Sequence, residues 1–423
     1  MQNVSHLLRA RRFAPLFATQ FLGAFNDSLF KQAVVLFVTY QLFSNPHKEF
    51  QFSAIAQALF ILPFFLFSAL AGQLADDHDK ARLIRIIKFA EIGIMIIGGA
   101  GIMLANIPLM LTAVFAMGVH STFFGPIKYA ILPQHLGKDE VLGGTGLVEA
   151  GTYLAILGGT ILAGMLAAEP PIAAACTIGL AVLGFLAGRQ VPPAPPSAER
   201  IPFNWHIVHA SIELVRGTLH IRRLFLAILA ISFFWTIGAV LIIIFPPLVK
   251  NVLGADEQVA SLFIAIFSVG IAIGSIAINR LLKSEVSARF APASVIAMGV
   301  FVLLLHFVAL AWGKHDPGLT TLGNFILHPM AALMIVALLG VAITGGMFVV
   351  PLYAFLTTTV PKTETARTVA ANNIVNSGAM VVGSLIAFAL SSAGIGPTGQ
   401  LLLVAGMCLI SAWLGWKLHQ ACD

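Results

Sequence analysis

The chain has 423 residues, of which 58% are hydrophobic and 10% charged, with a mean hydropathy of +0.93. Water cannot solvate a surface of that composition, which excludes a soluble globular domain and indicates a membrane protein. The formal charge of +6 would suit a nucleic-acid partner, but the basic residues are distributed as they are around membrane spans, so no nucleic acid is expected.

About twelve apolar runs have the roughly 20 residues that a helix needs to cross the hydrocarbon core. In chain order they fall near 14–42, 52–74, 84–105, 107–132, 141–168, 170–188, 222–249, 257–282, 289–313, 328–356, 366–391 and 396–418. With the N-terminus in the cytoplasm, 20 of the 24 Lys and Arg residues lie on or near the cytoplasmic side. Only Lys48, Lys250 and Lys314 face the other side, and Lys31 lies within a span. By the positive-inside rule both termini are expected in the cytoplasm. The first run is too long and polar for the apolar core of a signal peptide and reads as a retained helix. Cys176, Cys408 and Cys422 are widely spaced and suggest neither a metal site nor a disulfide framework; no cofactor is expected.

Span one carries the most informative residue. Asp27 lies near the middle of an apolar run, with Gln20, Ala24 and Lys31 on the same helical stripe. An ionised group there costs roughly 2.5–3.5 kcal/mol on insertion scales, so it faces protein, partner or water instead of lipid. Two readings stand: an Asp27–Lys31 pair within the helix, or two groups on a cavity wall. Span four adds His120 and Lys128, and span five adds Glu149, placed for an ion pair between Lys128 and Glu149 or for contact with substrate. His120 reads as a histidine bonded to a neighbouring helix or as a proton relay. Glu91, near the cytoplasmic end of span three beside Lys88 and Arg85, reads as structural.

A composition break follows span six. Val191-Pro-Pro-Ala-Pro-Pro-Ser-Ala-Glu-Arg200 predicts a stiff extended segment, leading through Trp205, Ile212 and Leu219 into an interfacial helix. The expected organisation is therefore a six-helix half over 1–188, a cytoplasmic linker over 189–221 and a second six-helix half over 222–423. The halves resemble each other: Gly118–Leu132 and Gly340–Leu356 both carry a late proline and a Tyr-Ala pair, and Gly146–Gly151 sits opposite Asn373–Gly378. In the second half the polar groups on span eleven are the neutral amides Asn372, Asn373 and Asn376, and His306 is the titratable residue deepest in a span. Such a duplication suits alternating access with a midplane site. Charges on one wall and apolar side chains on the other suit an amphiphile, Lys128 or Lys31 meeting a phosphate and Asp27 or Glu149 an ammonium.

The loop between spans two and three reads Gly72-Gln-Leu-Ala-Asp76-Asp77-His78-Asp79-Lys80-Ala-Arg82. It resembles the signature loop of the major facilitator superfamily, with Asp77 in place of the usual basic residue and Asp79 in place of the usual glycine. Three segments carry a closer resemblance: Arg11 to Lys31, Phe124-Gly-Pro-Ile-Lys-Tyr-Ala-Ile-Leu132 and Gly146-Leu-Val-Glu149-Ala. They are similar to the lysophospholipid transporter family, which also occurs fused to an acyltransferase and an acyl-carrier-protein (acyl-ACP) synthetase.

That resemblance implies an all-α membrane protein of the major facilitator fold in the bacterial inner membrane. It implies movement of lysophosphatidylethanolamine or lysophosphatidylglycerol to the cytoplasmic leaflet for re-acylation, with membrane lipids around the protein and a cytoplasmic acyltransferase/acyl-ACP synthetase as partner. Asp27, Lys128 and Glu149 carry over as substrate-binding positions, joined by Lys31, Gln20, His120, Asn372 and Asn376 from the residue reading. Gly72, Asp76, Lys80 and Arg82 are the expected gating loop. A basic residue that the resemblance leads one to expect on span seven is missing. A monomer is expected. Two alternatives remain at this stage: a proton-coupled exporter of hydrophobic cations or drugs, and a membrane scaffold that recruits an acyltransferase. The chain has no Gly-x-Ser-x-Gly or His-Glu-x-x-His motif, so an enzyme is not expected.

Overall fold

The computed structural model describes residues 4–196, 211–212, 215–216, 221–282, 288–313, 318–358 and 365–422. Its long helices are α1 Ala14–Phe37, α2 Pro46–Asp77, α3 Lys80–Met103, α4 Ile107–Ala130, α5 Lys138–Leu166, α6 Pro170–Gly188, α7 Arg222–Asn251, α8 Glu257–Leu281, α9 Ala291–Ala311, α10 Ala331–Thr358, α11 Thr365–Ser392 and α12 Pro397–Cys422. Eleven of the twelve are long and apolar enough to cross a membrane, and α5 contributes the shorter apolar stretch Ala150–Leu166. Only helices satisfy every backbone group within such a run, which is why this composition folds this way.

The chain forms two compact units, Met1–Phe37 with Leu66–Ala210 and Val38–Phe65 with Ser211–Asp423. In the first, α1 packs on α5 and α6, and α3 packs on α4 and α6. In the second, α7 packs on α11 and α12, and α9 on α10 and α12. Adding six to each helix number of the first set gives the second, so the two units repeat one packing pattern. Small residues allow the close approaches that membrane helices depend on. A Cβ on Gly159 of α5 would collide with the Phe25 carbonyl of α1, and one on Gly274 of α8 with the Ile343 carbonyl of α10.

The start of the linker is tied down within the first unit. After α6, residues 191–196 run without helix, and Val191 and Ala194 are buried. Arg85 donates to the Val191 carbonyl at 3.3 Å, Gln134 to that of Pro195 at 3.3 Å, and the Lys80 amide to that of Ala194 at 2.9 Å. Of the expected interfacial helix, residues 211–212 and 215–216 are helical and the rest, including Trp205 and Leu219, lies outside the described residues.

In the second unit α7 is the central helix, with 78% of its span buried against 33% for α2. At its end Lys250 is held by Glu49 at 2.7 Å and by the carbonyls of Thr39 and Phe43, while Asn251 donates to the second Glu49 oxygen at 2.5 Å. Both oxygens of the fully buried Glu49 are thereby satisfied, as a charge in a low-dielectric setting requires.

Candidate functional site

In the first unit three helices bring ionisable and polar side chains together inside an apolar bundle. Helix α3 supplies Lys88 and Glu91 one turn apart, α1 supplies Asn26 and Asp27, and α4 supplies His120 and Ser121. Glu91 is the hub. One of its oxygens lies 2.5 Å from Lys88 Nζ and 3.3 Å from His120 Nε2, and the other accepts from Asn26 Nδ2 at 2.9 Å. Lys88 and Glu91 are fully buried. Room for the lysine head comes from Gly23, where a Cβ would stand 2.6 Å from Nζ, and the ammonium lies 5.4 Å from the Phe124 ring centroid. The cluster therefore offsets its own desolvation by mutual charge neutralisation and hydrogen bonding.

Asp27, next to Asn26, makes no hydrogen bond to the hub, although it lies within electrostatic reach of His120, Glu91 and Lys88. The Ser121 hydroxyl donates to its Oδ2, and Oδ1 has no hydrogen-bond partner among the described residues. An acidic oxygen left open in an apolar bundle is suited to a ligand ammonium or hydroxyl. Lys31 follows one turn further along α1.

The remaining candidates are placed differently. Gln20 joins α1 to α5, donating to the Val148 carbonyl at 3.3 Å and accepting from Thr152 at 2.9 Å. Lys128 lies over the ring of exposed Tyr129 at 4.7 Å, near the end of α4. The side chains of Glu149 and Asp76 lie outside the described residues, and with them the Lys128–Glu149 pairing. The expected gating loop is mostly helical, Gly72 lying in the last turns of α2 and Lys80 and Arg82 in the first turn of α3. Gly72 has open space where a Cβ would stand, Arg82 is exposed, and the Lys80 side chain is buried with no hydrogen bond from Nζ among the described residues. Asp79, the departure from the signature, has a structural use. One of its oxygens caps α3 by accepting from the Arg82 amide at 2.8 Å and the other accepts from the Ala194 amide at 3.2 Å.

The second unit gathers neutral groups. Ser232 Oγ lies 2.7 Å from Asn376 Oδ1, Trp235 Nε1 donates to the Tyr353 hydroxyl at 2.7 Å, and Asn376 Nδ2 donates to the same oxygen at 3.4 Å. These residues come from α7, α10 and α11. Asn372, one turn before Asn376, is fully buried. His306 is separate, bonded through Nδ1 to the Thr398 carbonyl at 2.8 Å.

Sequence reasoning missed Lys88 as a buried cation, having counted it with the cytoplasmic charges, and missed Asn26, Ser121, Ser232, Trp235 and Tyr353. The Lys88/Glu91 spacing of three was a legible signal for a helical pair. The neutral residues carried no comparable signal, since isolated Trp, Tyr and Ser are ordinary in apolar spans.

A family model described as Major Facilitator Superfamily matches residues 16–318. The lysophospholipid transporter LplT of Citrobacter koseri is 27% identical over 415 residues, covering 95% of this chain and 95% of that protein. LplT of Escherichia coli O9:H4 is 27% identical over 368 residues, 86% of this chain and 84% of the relative. Solved structures share the fold at low identity. A mutant nucleoside transporter NupG superposes with a TM-score of 0.70 at 12% identity, covering 96% of this chain and 99% of the other. A bacterial homologue of the human lysosomal transporter Spinster, inward-facing and unoccupied, gives 0.68 at 16%, covering 97% and 98%. Length, hydropathy, duplicated packing and the matched model agree: this chain is a multi-pass membrane transporter belonging to the major facilitator superfamily.

Proposed function

We propose that the protein is a lysophospholipid flippase of the bacterial inner membrane. It moves lipids such as lysophosphatidylethanolamine and lysophosphatidylglycerol to the cytoplasmic leaflet by alternating access, for re-acylation there. The observation that carries this reading is likeness over nearly the whole chain to proteins named lysophospholipid transporters. The geometry adds Asp27, whose open oxygen in an apolar bundle suits the ammonium of an ethanolamine head group. Lys31, Lys128 and Glu149 are the further head-group positions, Lys31 and Lys128 as point charges for phosphate. The loop of Gly72, Asp76, Lys80 and Arg82 gates the cycle. Both termini are cytoplasmic, the protein acts as a monomer, and a cytoplasmic acyltransferase/acyl-ACP synthetase consumes the delivered lipid.

The titratable set Lys88, Glu91, His120 and Asp27 favours one second reading, a proton-coupled exporter of hydrophobic cations. Uptake of labelled lysophosphatidylethanolamine into cells lacking their own transporter separates the two. Uptake above the empty-vector level by the expressed protein is the expected result. No uptake by well-inserted protein, together with proton-driven efflux of a lipophilic cation, would replace the lipid reading by the exporter.

A further inference from the structure

Asn372 is fully buried on α11, yet neither its amide nitrogen nor its amide oxygen has a hydrogen-bond partner among the described residues. Burying an amide without partners is unfavourable, and native proteins avoid it unless a ligand or water completes the bonds. Its surroundings are organised. The side chain lies beside the Tyr353 hydroxyl, which is fixed by the Trp235 indole N–H and the Asn376 amide, and the Asn376 carbonyl in turn faces Ser232. Trp235 and Tyr353 are only partly buried, so the set has an accessible rim. Among the described residues no ionised group is seen to bond with it, and α7 carries none between Arg223 and Lys250.

Such a site does not suit a phosphate or an ammonium, because nothing in it supplies a counter-charge. A side-chain amide offers an acceptor and a donor in one plane, about two atoms apart. Its complement is a ligand with a hydroxyl next to a carbonyl. On the lysophospholipid reading, on which this inference rests, the glycerol unit has that pairing: the free hydroxyl left by the missing acyl chain beside the ester of the remaining one.

We infer that Asn372 is a specificity-determining residue that reads the free glycerol hydroxyl of the substrate. Its Oδ1 accepts from that hydroxyl while its Nδ2 donates to the neighbouring ester carbonyl. The Tyr353 hydroxyl, oriented by Trp235 and Asn376, lines the subsite beside it. A two-chain phospholipid has no proton to offer Oδ1 and leaves it unpaired, so the subsite discriminates one-chain from two-chain lipids by a polar contact as well as by bulk.

The test compares uptake of 1-acyl lysophosphatidylethanolamine with that of its 2-deoxy analogue, which keeps the head group, ester and chain and lacks only the hydroxyl. The wild type is expected to favour the hydroxyl substrate by about ten- to a hundredfold in kcat/KM, since a site built to bond a hydroxyl rejects the analogue lacking it. Asn372→Leu is expected to bring the ratio close to one. If that variant fails to accumulate, Tyr353→Phe, which deletes a single oxygen, is expected to reduce the ratio several-fold. A wild type that carries both lipids equally would overturn this inference alone. A variant that keeps the full ratio would do the same, whereas a wild type that carries neither lipid would overturn the lysophospholipid reading and the inference with it.

Discussion

The two halves share a packing plan and differ in the chemistry they bury. In the first, α1, α3 and α4 enclose Asn26, Lys88, Glu91 and His120 around one carboxylate, with Asp27 and Ser121 beside them. In the second, α7, α10 and α11 meet through Ser232, Trp235, Tyr353 and Asn376, all neutral. A buried charge must be neutralised, so the first set commits three helices to one arrangement around Glu91. Each set leaves polar atoms open, Asn26 Oδ1 and Asp27 Oδ1 in the first and the Asn372 amide in the second. The two units thus share one packing plan, and where α1, α3 and α4 meet through charges, α7, α10 and α11 meet through neutral hydrogen-bonding groups, the buried Glu49–Lys250 pair of the second unit lying apart at the end of α7.

That contrast predicts unequal penalties. Lys88→Met leaves Glu91 buried without its counter-charge and should destabilise the protein by about 3–5 kcal/mol. The readout is a lowered Tm in detergent or loss of accumulation. Replacing both partners, Lys88→Met with Glu91→Leu, should recover part of that loss, since Asn26 and His120 then lose their shared carboxylate, and a single variant melting like the wild type would show that the pair is not the keystone of the first half. In the neutral set, Asn376→Leu removes one donor contact to Tyr353 and one partner of Ser232, which keeps its bond to the Ile228 carbonyl at 2.8 Å, with an expected loss of about 1–3 kcal/mol. Ser232→Ala removes a single hydroxyl and should lower stability by about 1 kcal/mol in the same melt. Equal losses for Lys88→Met and Ser232→Ala would erase the distinction between the halves.

The smallest effect lies outside the membrane. Glu140 accepts from the Gly137 amide at 2.9 Å and faces Arg12 at 2.6 Å and His6 at 3.2 Å. The Gly137 N–H, then His6 and Arg12, hold its carboxyl below the usual carboxylate value. A group whose folded-state pKa is depressed contributes stability above its unfolded value and loses it as pH falls through the folded one. Glu140→Gln should therefore lower Tm slightly at neutral pH and flatten the shallow acid loss, so that the two curves converge below the ordinary carboxylate value. A steeper acid limb in the variant would reverse the assignment.

Much of this architecture was legible in the sequence because the membrane imposes strong rules. Apolar runs gave the twelve helices, and Asp27 stood out as an acid inside one of them. The matched Pro and Tyr-Ala positions of α4 and α10 announced the duplication. Partners distant in the chain were not legible: nothing local tells Glu91 that Asn26 and His120 come from α1 and α4, or Glu49 that Lys250 lies 201 positions on. Helix spacing carries pairs three and four apart, while contacts across the bundle depend on packing. Asp79 falls between these cases. As a departure from the signature it looked like a loss, yet an Asp just before a helix is an ordinary cap, and its second oxygen holds the chain that leaves α6.

The central claim is that the charged half engages the head group through Asp27. It is tested most directly by uptake of labelled lysophosphatidylethanolamine in wild type and Asp27→Asn at matched membrane levels. Loss of one charge-assisted contact should reduce kcat/KM by about tenfold or more, with accumulation retained because the isosteric Asn keeps an oxygen to accept from Ser121. Undiminished uptake by the variant would contradict the claim and remove the head group from the first half.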